Sequence, residues 1–127
     1  MQILIAEDNL VMVHVLQFNL ERAGFEVHAA VNGAEALEAA VDRTFDLVIT
    51  DYQMPEMNGE EFVRQLRGHG DYQDTPIVMC SAKGYEIDTD QLGLDLGINE
   101  FVYKPFSPAQ MVELVERLTE DLCVWGM

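Results

Sequence analysis

Four short apolar runs in this chain each end on side chains suited to handling phosphate and divalent metal. Ile3-Leu4-Ile5-Ala6 stops at Glu7-Asp8, Leu47-Val48-Ile49-Thr50 at Asp51, Ile77-Val78-Met79-Cys80 at Ser81, and Phe101-Val102-Tyr103 at Lys104-Pro105. If all four runs are parallel strands, these groups meet at one edge of a sheet. Three carboxylates sharing a cleft repel one another, and a hard divalent cation with oxygen ligands is the economical way to keep them ionised. Magnesium fits best, because it takes few carboxylates, a main-chain carbonyl and several waters. The expected ligands are Asp8 and Asp51 directly, Gln53 through its main-chain oxygen and Glu7 through water. Zinc is not expected, since none of His14, His28 or His69 has ligand spacing to a cysteine.

Strand-like and helix-like runs alternate along the whole chain, the sequence form of repeated βαβ units and of a parallel sheet covered on both faces. In such doubly wound sheets ligands bind beyond the carboxyl ends of the strands, where Asp8, Asp51, Ser81 and Lys104 fall. The first helix is expected over Leu10 to Ala23, with Asn9 as N-cap and Gly24 as its stop. Phe25 to Ala29 reads as the second strand. Asn32 and Glu35 have capping-box spacing, so the second helix starts near Gly33. Glu60 and Glu61 complement the dipole of a third helix, whose buried stripe is Phe62, Val63 and Leu66 and which Gly68 and Gly70 close. The fourth strand is expected over Pro76 to Cys80.

Tyr85 to Leu96 is a poor helix candidate: Asp88, Thr89, Asp90 and Gly93 have middling or low propensity, and Ile87, Leu92, Leu94 and Leu96 are its main apolar anchors. A short, mobile fourth helix is expected there. By contrast, Ser107, Pro108 and Gln110 place an N-cap, an N1 proline and an N3 glutamine ahead of Met111, Leu114, Val115, Leu118 and Leu122.

The 127 residues, 49% hydrophobic, suffice for one domain with a sizeable core and not for two. A formal charge of -16, from 23 acids against 7 bases, repels nucleic acid and anionic membrane surfaces. The two cysteines, Cys80 at a strand top and Cys123 at the far end of the last helix, are expected to lie too far apart to bridge. That points to a reducing interior. With neither a signal-peptide pattern nor a run of transmembrane length, a soluble cytoplasmic protein is expected.

Glu7-Asp8, Asp51 followed by Met54-Pro55, Ser81-Ala82 and Lys104-Pro105-Phe106 together resemble the receiver domain of bacterial two-component response regulators, similar to the single-domain chemotaxis type. The resemblance runs from Gln2 to Leu122, with the motifs in order at successive strand ends. It implies a flavodoxin-like fold: a five-stranded parallel sheet of order 2-1-3-4-5 with five helices. It also implies that Asp51 accepts a phosphoryl group, with magnesium required, from a sensor histidine kinase or a histidine phosphotransfer protein. On this reading residues 1–122 are the receiver domain and 123–127 a tail or the start of a linker. The chain is then no multiple-turnover enzyme, catalysing only its own phosphorylation and dephosphorylation.

The chemistry can be followed residue by residue. A carboxylate attacking phosphorus in line needs its charge partly neutralised and the transferring oxygens clamped. Magnesium and Lys104 would supply the clamp, each such contact at 4 Å being worth roughly 4 kcal/mol before desolvation in a partly dry cleft, against about 1 in water. Ser81 offers a hydroxyl to a phosphoryl oxygen. Pro105 restricts the backbone of Lys104 to extended geometry, and the family pattern implies a cis bond there. After transfer, the added charge should draw Ser81 and Lys104 inward, and the resemblance implies that Phe101, three residues before the lysine, turns into the vacated space, biasing the surface made by the fourth helix, fifth strand and fifth helix. Phe101 lacks the hydroxyl of the commoner tyrosine. That surface is expected to meet a downstream protein partner or effector domain, or a second copy of the chain, without direct contact to nucleic acid or membrane.

Plainer readings stand beside these. Phe101 is also readable as core, Gln53 as a solvent-facing residue that tunes water access, and Lys83 as a solvated loop lysine or a second phosphate contact. On the first helix, Met12, Leu16, Leu20 and Ala23 form the expected sheet-facing stripe, while Val11, Val15 and Phe18 form a second stripe. That stripe is either packed under neighbouring segments or a docking patch for a helical phosphodonor or a homodimer. Two rival functions remain: a phosphorylation-independent interaction module with a relic site, and a magnesium phosphohydrolase. The hydrolase is disfavoured because Gln53 occupies the place of its usual second acid.

Overall fold

In the computed structural model, residues 1–82 and 89–125 are described, with side chains through residue 120. Five strands, β1 (Gln2–Ala6), β2 (Glu26–Ala30), β3 (Leu47–Asp51), β4 (Ile77–Ser81) and β5 (Glu100–Tyr103), alternate with five helices, α1 (Leu10–Arg22), α2 (Gly33–Asp42), α3 (Gly59–Arg67), α4 (Thr89–Leu96) and α5 (Pro108–Trp125). All strand pairs are parallel, as the alternating runs led us to expect, and the order is β2-β1-β3-β4-β5, the order the resemblance implied. The reversal of strand order falls between β1 and β3, where an open α/β sheet leaves its ligand crevice.

Central strands are buried on both faces. β3 and β4 are buried at every residue, which is why they read as unbroken apolar runs instead of alternating ones. One face packs Leu4, Val48, Ile77 and Met79 under α2, α3 and α4, through Ala36, Phe62, Leu66, Leu92 and Leu96. The other packs Ile3, Ile5, Ile49 and Val78 under α1 and α5, through Leu16, Leu20, Met111 and Val115.

Caps follow the sequence signals. Asn9 Oδ1 accepts from the amides of Val11 and Met12, Asn32 Oδ1 from Glu35 and Asn58 Oδ1 from Glu61. Ser107 and Gln110 bond each other reciprocally at the start of α5. Gly24, at φ +100, takes the left-handed conformation that ends α1.

Several boundaries differ from the sequence reading by one residue. β2 is Glu26–Ala30, and β3 and β4 run on to include Asp51 and Ser81, because Tyr52 N still bonds Cys80 O and Lys104 N still bonds Ser81 O. On α1 the buried stripe is Val13, Leu16 and Leu20; Met12 is half-buried and Ala23, the exposed C-cap, lies past the sheet. α4 begins at Thr89 among the described residues. The expected stretch from Tyr85 to Asp88, Lys83, the Cys123 side chain and the end of the chain at Gly126 and Met127 lie outside them. Cys80 is buried and free. No helix among the described residues is long and apolar enough to cross a membrane.

Candidate functional site

The carboxyl ends of β1, β3, β4 and β5 bring Glu7, Asp8, Asp51, Ser81 and Lys104 to one edge of the sheet. Glu7 continues the line of β1 and donates its amide to Ala30 O at 3.0 Å. Its side chain turns back into the cleft, where Oε2 accepts from Asn9 N at 3.1 Å. Asn9 in turn caps α1, so the helix start and the acidic pair are fixed together. Asp51 and Ser81 are the last residues of neighbouring buried strands.

Carboxylate oxygens of Glu7, Asp8 and Asp51 lie within 4.8 Å of one another. Lys104 Nζ reaches Glu7 Oε1 at 2.7 Å and Asp51 Oδ2 at 3.2 Å. Glu7 and Asp51 are only 4% and 7% exposed, whereas Asp8 faces solvent. A buried acid pair bridged by one ammonium, with a third acid at the mouth, is a site poised for a cation. The peptide bond between Lys104 and Pro105 is cis, as the resemblance implied.

Burial sets the electrostatics. It pushes the Asp51 carboxyl above its ordinary value, and the charge and hydrogen bond of Lys104 offset this only in part. Glu7 is raised for the same reason, against its bonds from Lys104 and Asn9. For Lys104 burial works towards neutrality, but the bond to Glu7 and the charge of Asp51 outweigh it and leave the ammonium held above its ordinary value. Lys104 therefore stays charged, and the two buried acids gain from any further positive charge brought to the cleft.

The remaining residues singled out in the sequence lie around this centre. Gln53 is exposed on the connection two residues after Asp51. Phe101 is half-buried, packed on the face that carries α3 and α4, and a Cβ at Gly93 of α4 would sit 3.8 Å from its Cε2. Val11, Val15 and Phe18 are 73%, 37% and 60% exposed, so neighbouring segments do not cover the second stripe of α1. Arg22 lies over the Phe18 ring at 5.6 Å.

Two residues that shape the site went unnoticed in the sequence. Gly59 opens α3 and donates its amide to Tyr52 O at 2.7 Å, pressing the helix start against the main chain of Asp51. Asn58 caps that helix through Glu61 N; its spacing to Glu61 matches that of Asn32 to Glu35 and was available as a signal.

Comparison with known proteins agrees with this geometry. A family model described as the response regulator receiver domain matches residues 3–116. The transcriptional regulatory protein SrrA of Staphylococcus aureus is 38% identical over 117 residues, 92% of this chain and 47% of SrrA. The chain thus spans about half the length of the curated relatives it matches. Chemotaxis response regulator CheY4 of Vibrio cholerae superposes with a TM-score of 0.85 at 32% identity, covering 92% of this chain and 97% of that one. TrrA of Thermotoga maritima, solved in complex with Mg(2+)-BeF, gives a TM-score of 0.79 at 28% identity, covering 92% and 97%. Fold and site define a flavodoxin-like signalling module built around an acidic cleft. The chain belongs to the response regulator receiver domain family.

Proposed function

We propose that this chain is a phosphoacceptor receiver domain in which Asp51 takes a phosphoryl group from a phosphohistidine donor, a sensor histidine kinase or a histidine phosphotransfer protein. The observation that carries the reading is the Lys104 ammonium bridging Glu7 and Asp51 beside the three-carboxylate cluster. In the transfer, an Asp51 carboxylate oxygen bonds to phosphorus as the bond from phosphorus to the donor nitrogen breaks. Hydrolysis later returns the carboxylate as water attacks phosphorus. Lys104 clamps a phosphoryl oxygen, and Ser81, buried at the end of the neighbouring strand, offers its hydroxyl to another.

The donor set fits magnesium: close oxygens, two of them on buried acids, with Asp8 at a solvent-facing mouth where the ion would keep waters. Both Glu7 oxygens already have partners, so direct coordination would fall to Asp8 and Asp51 with the main-chain oxygen of Gln53, and Glu7 would act through water. When bound, the ion supplies positive charge to the transferring oxygens. That the structural neighbour TrrA was solved in complex with Mg(2+)-BeF supports magnesium as the ion of this cleft.

A phosphoryl group on Asp51 draws Ser81 and Lys104 towards it, and Phe101 follows, biasing the face made by α4, β5 and α5. That face carries exposed Leu94 and Tyr103, at 82% and 47%, and is the surface for a downstream partner, an effector domain or a second copy of the chain. Uncovered Val11, Val15 and Phe18 form the docking patch for the donor. Residues 1–122 are the receiver domain, 123–127 a tail or linker, and the setting is cytoplasmic, in keeping with the free thiol of Cys80.

Incubation with acetyl phosphate and magnesium followed by intact mass measurement tests the reading. A labile adduct is expected, absent in Asp51→Asn. No adduct from acetyl phosphate or a phosphohistidine donor favours an interaction module with a relic site, and rapid multiple turnover favours a hydrolase. Polar substitutions at Val15 and Phe18 should block transfer from the protein donor while leaving acetyl phosphate labelling intact.

A further inference from the structure

The connection from β3 to α3, Tyr52 to Asn58, is a closed loop. Its ends are joined where Gly59 N donates to Tyr52 O at 2.7 Å. Two methionines tie it down from within. Met54 is buried in the core that holds Phe62 and Leu66. Met57 lies against Gly33 at the start of α2, where a Cβ would come 3.0 Å from its sulfur. Gln53, Pro55, Glu56 and Asn58 face solvent. A short loop with its ends together and its own side chains packed beneath it is a form that connections take when they hold a site.

At the tip of this loop the chain turns sharply. Met57 N donates to Pro55 O at 2.7 Å, and Glu56 between them has φ 68°. A bond from one residue to the next but one around a positive φ is the rare, strained hand of the γ-turn. Among the described residues, Glu56 is the only one other than glycine in this region of φ. A Cβ there crowds the following carbonyl oxygen, a cost that shifts an equilibrium roughly five- to thirtyfold against the turn. Strain of this kind persists only where the surroundings over-determine it, here through Met54 and Met57 on either side. Returning Glu56 to a negative φ would redirect the chain after Pro55 and lift Met57 from Gly33. Gln53, whose main-chain oxygen is assigned to magnesium, lies in the same closed loop.

We infer that Glu56 is a positioning residue that limits the affinity of the cleft for magnesium: the loop carrying the Gln53 oxygen must close around the γ-turn to join Asp8 and Asp51 as a ligand, and the Cβ of Glu56 works against that closure. The inference rests on the magnesium assignment given above. Only molecules with the loop closed offer the cation its full set of ligands, so the apparent affinity falls with the closed fraction. Glu56→Gly removes the opposition, because glycine enters positive φ freely, whereas Glu56→Val increases it. The effect runs through backbone shape, not through the charge of the glutamate.

Titration of the full chain with magnesium chloride, followed through the amide NMR shifts of Asp8, Asp51 and Gln53, tests this alongside thermal unfolding in EDTA. Glu56→Gln, which removes the charge and keeps the Cβ, is the reference, and the wild type should bind within about twofold of it. Glu56→Gly should bind at least about threefold more tightly than Glu56→Gln, and Glu56→Val at least about tenfold more weakly. A merely structural turn would raise the unfolding temperature of Glu56→Gly in EDTA and leave its dissociation constant at that of Glu56→Gln. That result overturns the inference, as does a Glu56→Val protein that binds as Glu56→Gln does. Should Glu56→Val not fold, the comparison of Glu56→Gly with Glu56→Gln decides alone. Equal uptake by the wild type and every variant would remove the role of the turn and leave the magnesium assignment standing. No uptake by the wild type would remove that assignment and the inference with it.

Discussion

Gly59 and Asp51 touch through their main chains: a Cβ at Gly59 would overlap the Asp51 carbonyl oxygen and come within 2.9 Å of Tyr52 Cα. The neighbour is backbone, so no side-chain rotation relieves the overlap. Gly59→Ala should force α3 away from β3 and tilt the Asp51 carboxylate off the line it shares with Lys104. A loss of about 1–3 kcal/mol is expected by urea unfolding. Acetyl phosphate labelling should fall at least tenfold, since reacting groups tolerate little misplacement. Wild-type stability together with wild-type labelling would show that α3 does not press on Asp51.

Removing the Asp51 charge should stabilise the protein when divalent cations are absent. Burial disfavours the ionised carboxylate, and Glu7 still pairs with Lys104 when that charge is gone. Asp51→Asn should therefore unfold later than the wild type in EDTA. Magnesium at a hundred times its dissociation constant should stabilise the wild type by about 2.7 kcal/mol and the variant far less. Thermal unfolding with and without magnesium checks both signs at once. A variant that gains as much from magnesium as the wild type would place the ion elsewhere.

Cys80, at the top of β4, has its thiol pushed up to about 12 by burial and the charge of Asp51, from an ordinary value of 9.0. The sign is that of a raised acid. Unfolded chain ionises near the ordinary value and the folded chain only near the raised one, so this group's contribution to stability is lost as pH climbs between them. The three-unit difference makes the thiolate about a thousandfold scarcer in the folded protein near pH 8. In a Cys123→Ser background, an aromatic disulfide reagent should thus react at least that much more slowly with native than with urea-unfolded protein. Comparable rates would mean that the β4 end opens readily.

Residues at strand ends were legible because the runs before them are mostly apolar, unbroken in the buried strands β1, β3 and β4 apart from Thr50 and shorter in the half-buried edge strand β5. The sequence pattern alone places Asp51, Ser81 and Lys104 at one edge, and strand boundaries differ from it by a residue. The face of α1 was less legible. Leu10, Val11, Met12, Val13, Val15 and Leu16 are apolar on three sides of the helix, so periodicity gives no unique phase and the sheet's position selects Val13 over Met12. Gly59 and Arg67 were not legible for another reason. Gly59 lies against the main chain of Asp51, and Arg67 at the end of α3 donates to the main-chain oxygens of Leu96, Gly97, Tyr72 and Thr75, atoms that carry no residue identity for a sequence pattern to reveal.

Gly93 offers a test of how far the weakness of α4 matters. Its Cβ position is free of conflict: Ile98 O and Phe101 Cε2 would each lie 3.8 Å away, at ordinary contact distance. Gly93→Ala should raise helix propensity by about 1 kcal/mol without displacing Phe101. The urea midpoint should increase, and amide exchange in the middle of α4 should slow. Because the chemistry lies at Asp51, labelling by acetyl phosphate should keep its yield, whereas Gly93→Leu would drive a branched chain against the Phe101 ring and lower stability. An alanine variant less stable than the wild type would mean that α4 needs a glycine there for a reason other than room for Phe101, and the link between ring and helix would have to be redrawn.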